Sequence, residues 1–414
     1  MSRPASARPD PAGRSVTLLL VLLTALGPIS TDLYLPSLPA MRDAFAVDTG
    51  AIQLTLSVYM VAFAAAQLIY GPLSDRFGRR GPLIAGTALY FAASILCLVA
   101  PSIEWLILGR FLQGVGGCAG QVIARAVVRD VHGRERAGPV LAKIAFAMGF
   151  APAVGPAIGG MLTDAFGWQA CFWALSLAGG AALVGVFALL EETNRHPDPD
   201  PAGPVRMART FASLLRHRQF TGYALAATFS YAGLFAWISG SSFVFIEIFG
   251  LAPDLYGYCF ASVVVGFMTG AQIASRLTVG PVRAVRIGAA VNAFGGLAML
   301  GVVLGGYAGV ATILAPMILY MIGMGIVLPS AQAGAVGPFP RRAGAASSLI
   351  GAAQYGVAAF VGLAVGHGFN LTPLPMTLGI AGSGVAAFVA WAWLIRGAPD
   401  PAEEEEARAS EPRP

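Results

Sequence analysis

The chain has 414 residues, of which 56% are hydrophobic and 11% are charged, with a formal net charge of +5. About a quarter of the residues of a soluble globular domain are charged, so this composition excludes a soluble protein and indicates a chain that crosses a membrane several times. The positive charge follows from membrane topology, as the turns below indicate, and predicts no nucleic-acid partner.

Apolar runs of about 20 residues are long enough to cross a bilayer as helices, and about six such runs precede residue 192 and about six follow residue 219. We therefore predict an all-α membrane protein with twelve membrane-spanning helices, six over 15–192 and six over 220–396. The segment 193–219 is predicted to be a cytoplasmic linker, rich in proline at its start and then basic and amphipathic. Residues 1–14 and 397–414 are predicted to be tails, the second one disordered.

The short turns between the predicted spans alternate in charge from one face to the other. On one face they carry a single base, Arg42, and five acids, whereas the turns on the other face carry most of the arginines. Because basic loops remain in the cytoplasm, both termini are predicted to be cytoplasmic. The protein is predicted to pass many times through the cell inner (plasma) membrane.

Residues that the chain lacks exclude several sources of energy and catalysis. Its one lysine, Lys143, follows an alanine, so the phosphate-binding loop G-x-x-x-x-G-K-[ST] does not occur. The sequence contains no H-E-x-x-H zinc motif, and its serines have no histidine within the membrane to act as a base. We predict no cofactor, no metal and no enzymatic activity.

Two ionisable residues are predicted to lie at the same depth in the membrane. Counted from Val16 at about 1.5 Å per residue, Asp32 lies about 24 Å from the inner edge of a core about 30 Å thick. Arg110, counted from the outer end of the fourth span, lies about 22 Å from the same edge. Glu247 falls about 39 Å from the inner edge, which predicts an interfacial position.

An acid and a base at one depth are expected to face each other or one cavity, since isolated charges are costly in lipid. We predict that Asp32 and Arg110 couple transport to protons. Burial favours the neutral form of a carboxyl group, whereas a nearby cation favours the ionised form. The alternative for Asp32 is a capping role beside the prolines Pro36 and Pro39.

Three short motifs lie at the second, fourth and fifth predicted spans. They read G-P-L-S-D-R-F-G-R-R-G over 71–81, R-F-L-Q-G-V-G-G from Arg110 and A-P-A-V-G-P-A-I-G-G from Ala151. Together they resemble the motifs of the major facilitator superfamily. The matching positions are Gly71, Asp75, Arg76, Gly78, Arg79 and Arg80 in the turn, and Gly155, Pro156, Gly159 and Gly160 in a segment that resembles the antiporter motif of the fifth helix.

Longer stretches, S-T-D-L-Y-L-P-S-L-P-A-M around Asp32 and F-V-F-I-E-I-F-G from Phe243, are similar to the Bcr/CflA-type drug:proton antiporters. The resemblance implies two pseudo-symmetric six-helix lobes that rock about a central site. It also implies a monomeric proton-coupled antiporter that exports drugs or small amphipathic molecules by alternating access. One alternative is a proton-coupled symporter, or an exporter of one specific metabolite, on the same fold. A membrane-embedded enzyme or sensor is the other.

The resemblance makes the turn motif a conformational gate. Asp75, Arg79 and Asp130 are expected to form a charge cluster there, with Asp75 facing the amino end of the eleventh span near Gly344. A substrate contact is disfavoured because the cluster lies outside the membrane core. For the fifth-span motif, close packing of small residues is the alternative to a role in antiport.

Candidate substrate contacts are polar, aromatic and methionine side chains in the fourth, seventh and tenth predicted spans. Aromatic and methionine side chains form adaptable apolar walls, and a few polar groups orient a ligand. The alternative is that these side chains face lipid or pack in the core. The candidates are Gln113, Tyr231, Phe235, Trp237, Tyr320, Met321 and Met324.

Overall fold

The computed structural model describes residues 13–194, 204–339 and 342–397, which contain helices and no strand. The predicted tails, except their innermost residues, and the proline-rich start of the linker lie outside these ranges. The helices are α1 (Arg14–Asp32), α2 (Leu38–Phe45), α3 (Thr49–Phe77), α4 (Arg80–Leu98), α5 (Ile103–Phe166), α6 (Gln169–Leu189), α7 (Pro204–Leu215), α8 (Arg218–Ser242), α9 (Pro253–Arg276), α10 (Pro281–Leu304), α11 (Val310–Val336), α12 (Ala343–His367) and α13 (Leu374–Ala390). A 3₁₀ turn (Leu35–Ser37) precedes α2, and π-helical turns (Phe243–Ile248 and Trp391–Ile395) follow α8 and α13.

Eleven helical segments of the described chain are long and apolar enough to cross a membrane. A chain in lipid must satisfy its backbone hydrogen bonds within each segment, which is why apolar runs of this length form helices. The twelfth predicted span is the part of α5 after Pro139, and several of its side chains lie outside the described set. The linker contains α7, where the sequence predicted a basic amphipathic stretch.

Helix α5 covers both the fourth and the fifth predicted spans, which the sequence predicted as separate helices. The backbone is helical throughout 64 residues, and a straight helix of that length would measure about 96 Å. However, Gly120 packs against Leu23 and Gly155 against Asp32, and these two α1 residues are only about 14 Å apart. The chain therefore reverses its direction within α5, and its two parts form the predicted fourth and fifth spans.

The two halves of the chain meet along two pairs of helices, α3 with α12 and α5 with α9. Glycines allow close approach in both pairs. Gly351 of α12 lies against the side chain of Gln67, and Gly257 of α9 lies against the backbone of Ala157. Small residues at such contacts let membrane helices pack closely without a hydrophobic driving force. The space between the two helix pairs contains the central cavity described next.

Candidate functional site

A cavity of about 190 Å³ lies between the two halves of the chain. Its wall is mostly apolar, and Asp32 is the only Asp, Glu, Lys, Arg or His among the described residues that line it. Sites for drug-sized molecules usually have about 300 to 1,000 Å³, so the walls must move apart before such a molecule fits. The side chains that dominate the wall are Asp32, Tyr59, Met60, Phe63, Gln121, Tyr231, Phe260, Phe267, Met321, Met324 and Tyr355.

Asp32 is the last residue of α1, where the chain leaves the helix and enters a 3₁₀ turn with a proline at its start. Its side chain is buried, with 3% of the residue exposed. The hydroxyl of Thr31 donates a hydrogen bond to Asp32 Oδ1 at 3.2 Å. Among the described residues, Asp32 forms no ion pair.

Arg110 is completely buried one layer behind the cavity wall. Its guanidinium carbon lies 4.4 Å from the ring centroids of both Tyr34 and Tyr59, and such contacts stabilise a desolvated cation by about 2 kcal/mol. Arg110 Nη1 donates to the side-chain oxygen of Gln113. In turn, Gln113 Nε2 donates to Ser94 Oγ at 2.8 Å.

Arg110 stacks on Tyr34, two positions after Asp32, so Asp32 and Arg110 lie at the same depth. However, the two side chains do not face each other in this structure. Tyr59 belongs both to the cavity wall and to the stack around Arg110. Its ring separates the guanidinium from the cavity. The depth could be calculated from the sequence, whereas the rotation of each helix about its axis could not.

The predicted substrate contacts divide into two groups. Tyr231, Met321 and Met324 line the cavity. The other four candidates do not line it, because each makes contacts elsewhere. Phe235 packs against Gly362, and Trp237 packs against Phe245. The Tyr320 hydroxyl donates to the backbone oxygen of Ser230 at 3.0 Å, and Gln113 hydrogen-bonds to Arg110 and Ser94.

Sequence reasoning missed the residues that close one end of the cavity. Tyr355 of α12 packs against Phe63 and Tyr231, with ring centroids 4.9 Å and 5.6 Å away. Gln121 of α5 donates a hydrogen bond to the hydroxyl of Tyr355 at 3.4 Å. Polar groups such as Gln121 and Tyr355 in otherwise apolar spans were the available signal.

At the C-terminal end of α3, the predicted charge cluster of Asp75, Arg79 and Asp130 is formed. Arg79 pairs with both carboxylates, and its Nε lies 2.8 Å from Asp130 Oδ2. Burial opposes the charged form of Arg79, but the hydrogen bonds to Asp130 and Asp75 outweigh this effect and raise the pKa of Arg79. Asp75 and Gly344 line the same cytoplasmic cavity.

The turn itself depends on Gly78, a motif residue, and on Glu192. Sequence reasoning did not single out Glu192. Gly78 ends α3 with φ +84, a conformation that side chains disfavour. Glu192 accepts hydrogen bonds from the backbone N–H groups of Arg79 at 2.8 Å and Arg80 at 3.0 Å. A carboxylate at this position stabilises the start of α4. Of the other motif residues, Arg76 forms no ion pair with a described residue, and Gly71 has no charge with which to form one.

The predicted antiporter motif packs on two sides. Gly155 and Gly159 lie against Asp32 and Leu33 of the first half, whereas Gly160 lies against the backbone of Pro253 in the second half. The carbonyl oxygen of Pro156 lies near Gly257 of α9. The motif thus joins α1, which carries Asp32, to the interface between the halves.

The opposite end of the cavity, away from Tyr355, is closed by polar contacts between the halves. Arg42 Nη1 donates to Glu247 Oε2 at 3.0 Å, and Gln53 donates to the backbone oxygen of Ser239. Glu247 lies in the π-helical turn after α8. Arg42 also pairs with Asp43, but that contact lies within one half and is largely exposed.

We expect Glu247→Gln to shift the protein toward opening on its outer side. A partly exposed ion pair contributes about 0.2 to 1 kcal/mol, which predicts at most an approximately fivefold larger open population. The measurement is the rate at which an impermeant thiol reagent, added outside, labels Met60→Cys in the cavity wall. Asp43→Asn is the matched control because it removes the other carboxylate beside Arg42, and equal labelling in both variants would contradict the prediction.

Comparison with known proteins finds, over most of the chain, the superfamily that the sequence motifs resemble. The model of the Major Facilitator Superfamily matches residues 20–363. The bicyclomycin resistance protein homolog of Haemophilus influenzae is 31% identical over 382 residues, which cover 91% of this chain and 95% of the relative. Multidrug resistance protein D of Escherichia coli is 28% identical over 340 residues, covering 82% of this chain and 85% of the relative.

Solved structures share the fold at lower sequence identity. The inward-open structure of the xylose transporter XylE from Escherichia coli superposes with a TM-score of 0.70 and 16% identity. The match covers 95% of this chain and 99% of that protein. At this identity the likeness concerns the fold alone.

Proposed function

The chain belongs to the Major Facilitator Superfamily, and from this premise we propose that it is a proton-coupled antiporter that exports drugs or small amphipathic molecules by alternating access. It is a multi-pass membrane transporter rather than an enzyme, and it acts on small molecules. The relatives named for bicyclomycin and multidrug resistance support export of drugs. We further propose that the protein acts as a monomer in the plasma membrane with both termini in the cytoplasm.

The observation that carries the proposal is the position of Asp32. It is the only Asp, Glu, Lys, Arg or His among the described residues that line the central cavity, it is buried, and no described cation pairs with it. A carboxyl group in such surroundings binds a proton more readily than one in water. A substrate that enters the cavity therefore meets the proton site directly, and competition between the two ligands couples their movements.

Arg110 supplies the second half of the proposed cycle. In this arrangement Tyr34 and Tyr59 cover its guanidinium. A movement of α1 or of the Tyr59 ring that brings Arg110 to Asp32 would favour the ionised carboxylate and release the proton. We propose that the rocking of the two halves alternates between these arrangements. The cluster of Asp75, Arg79 and Asp130 acts as the cytoplasmic gate. The contact that transmits the movement is the motif of Gly155, Pro156, Gly159 and Gly160.

The test is the direction of substrate-driven proton movement in inside-out vesicles without an imposed pH gradient. Bicyclomycin, chloramphenicol or ethidium is added outside, and a pH-sensitive dye reports the lumen. Antiport into the vesicles expels protons, so the lumen becomes more alkaline, whereas symport carries protons inward and acidifies it. Vesicles without the protein are the control. Acidification would assign the protein to symport, and no pH change with any compound would contradict drug:proton antiport.

A further inference from the structure

A second cavity, of about 840 Å³, lies on the cytoplasmic side of the central one. The same faces of α3 and α5 line both cavities. On α5, Gln121 lines the central cavity, and Arg125 and Arg129, four and eight residues later, line the cytoplasmic cavity. On α3, Phe63 lines the first and Gln67 the second. The cytoplasmic cavity is therefore the inner mouth of the proposed transport pathway.

Five arginines converge on this cavity from both halves and from the linker helix. One acidic residue, Asp75, lines it as well, and that carboxylate already pairs with Arg79. The other four arginines form no ion pair within the described part of the chain. These four, named here the arginine cluster, are Arg125, Arg129, Arg206 and Arg342.

The positive-inside rule does not account for this convergence. That rule requires basic residues near the cytoplasmic ends of the spans, but it does not require them to share a cavity. Arg209 and Arg216 satisfy it from positions that do not line the cavity. Arg125 and Arg129, by contrast, are like charges four residues apart in a helix, an arrangement that is destabilising without a counter-ion.

The remaining cavity wall offers donors suited to an anion. Gly344 lies in the first turn of α12, and no atom comes within 4 Å of the position that a Cβ on this residue would take. The start of a helix carries a partial positive charge and favours an anion. Ser347 and Ser348 contribute hydroxyl groups to the same wall. Arginine guanidinium groups match the oxygens of phosphate with two parallel hydrogen bonds.

We propose that the arginine cluster binds a phosphate group, carried either by the head group of an anionic lipid or by a soluble molecule in the cytoplasm. Basic pockets between membrane helices on the cytoplasmic side are suited to such head groups. The bound phosphate bridges Arg125 and Arg129 of the first half to Arg342 of the second half. It occupies the space between Asp75 and the start of α12, and it therefore stabilises the open cytoplasmic mouth.

The experiment measures binding to the purified full-length protein in nanodiscs by the shift in its thermal unfolding temperature. In the first arm the discs contain phosphatidylcholine, and inorganic pyrophosphate is titrated at constant ionic strength. In the second arm phosphatidylglycerol replaces an increasing share of the phosphatidylcholine. A ligand that binds only the folded protein raises the unfolding temperature. Stabilisation by pyrophosphate identifies a soluble source of the phosphate, and stabilisation by phosphatidylglycerol alone identifies a lipid.

We expect Arg125→Gln/Arg129→Gln to weaken the binding of the effective probe by about tenfold or more, since each arginine supplies a charge-assisted hydrogen bond. The matched control is Arg209→Gln/Arg216→Gln, which removes the same charge from outside the cavity and should retain the response. If the first double variant does not fold, Arg206→Gln against Arg209→Gln makes the same comparison within α7. No stabilisation of the wild type by either probe, or equal loss in test and control variants, would overturn the proposal.

Discussion

Asp32→Asn is expected to abolish substrate-driven proton movement in inside-out vesicles and to leave substrate binding in place. Asparagine has nearly the shape of aspartic acid and keeps an oxygen that can accept the hydrogen bond from Thr31, but it cannot exchange a proton at neutral pH. Since Asp32 is the only Asp, Glu, Lys, Arg or His among the described residues that line the cavity, no other described carboxyl group there can replace it. The pH change should fall to that of vesicles without the protein.

The same variant should lose the pH dependence of substrate binding. If protons and substrate compete at Asp32, raising the pH strengthens binding to the wild type, because fewer sites are protonated, and this effect should vanish in the variant. Asp164→Asn is the matched control: it makes the same chemical change at an exposed acid near the outer end of α5. Proton movement that persists in Asp32→Asn would place the coupling site elsewhere.

Gly159→Ala is expected to destabilise the folded protein strongly. A Cβ on this residue would overlap the backbone carbonyl oxygen of Leu33, and neither atom belongs to a side chain that can rotate away. Helices α1 and α5 would have to separate, and overpacking of this kind costs about 1 to 3 kcal/mol or more. The separation would also displace Asp32, the residue before Leu33, so the surviving protein should couple protons poorly.

The measurement for Gly159→Ala is the thermal unfolding temperature of the purified protein, together with its yield in monodisperse form. Gly149→Ala is the control, because it lies ten residues earlier in the same helix and no atom of the described residues lies within 4 Å of its Cβ position. Alanine favours a helix over glycine by about 1 kcal/mol, so the control should be as stable as the wild type or more stable. An unfolding temperature of Gly159→Ala equal to that of the wild type would show that the two helices can adjust.

Some of the fold could be predicted because lipid imposes constraints along a single dimension. A span must be apolar for about 20 residues, so composition alone indicated the helices, and arginine-rich turns indicated the cytoplasmic face. The depths of Asp32 and Arg110 followed from counting residues at a constant helical rise. The cluster around Arg79 was expected from the resemblance of the turn motif, and Asp75 and Arg79 lie four residues apart across the turn between α3 and α4.

Which side chains form the cavity wall could not be predicted from composition and helical rise. Whether Trp237 or Tyr231 faces the cavity depends on the rotation of α8, which is set by contacts with helices that are distant in sequence. The same holds for Tyr355, which meets Phe63 across the interface between the halves.

The sequence by itself determined which segments are apolar and long enough to cross the membrane, because this property depends on composition and length. The orientation of the spans and the depth of each charge stay predictions from the turns and the helical rise. Only the tertiary structure decided that Tyr59 stands between Arg110 and the cavity that Asp32 lines, and that the arginine cluster shares one cavity. The physical reason is that the direction of a side chain around its helix axis is set by the packing of neighbouring helices, which no local pattern of residues specifies.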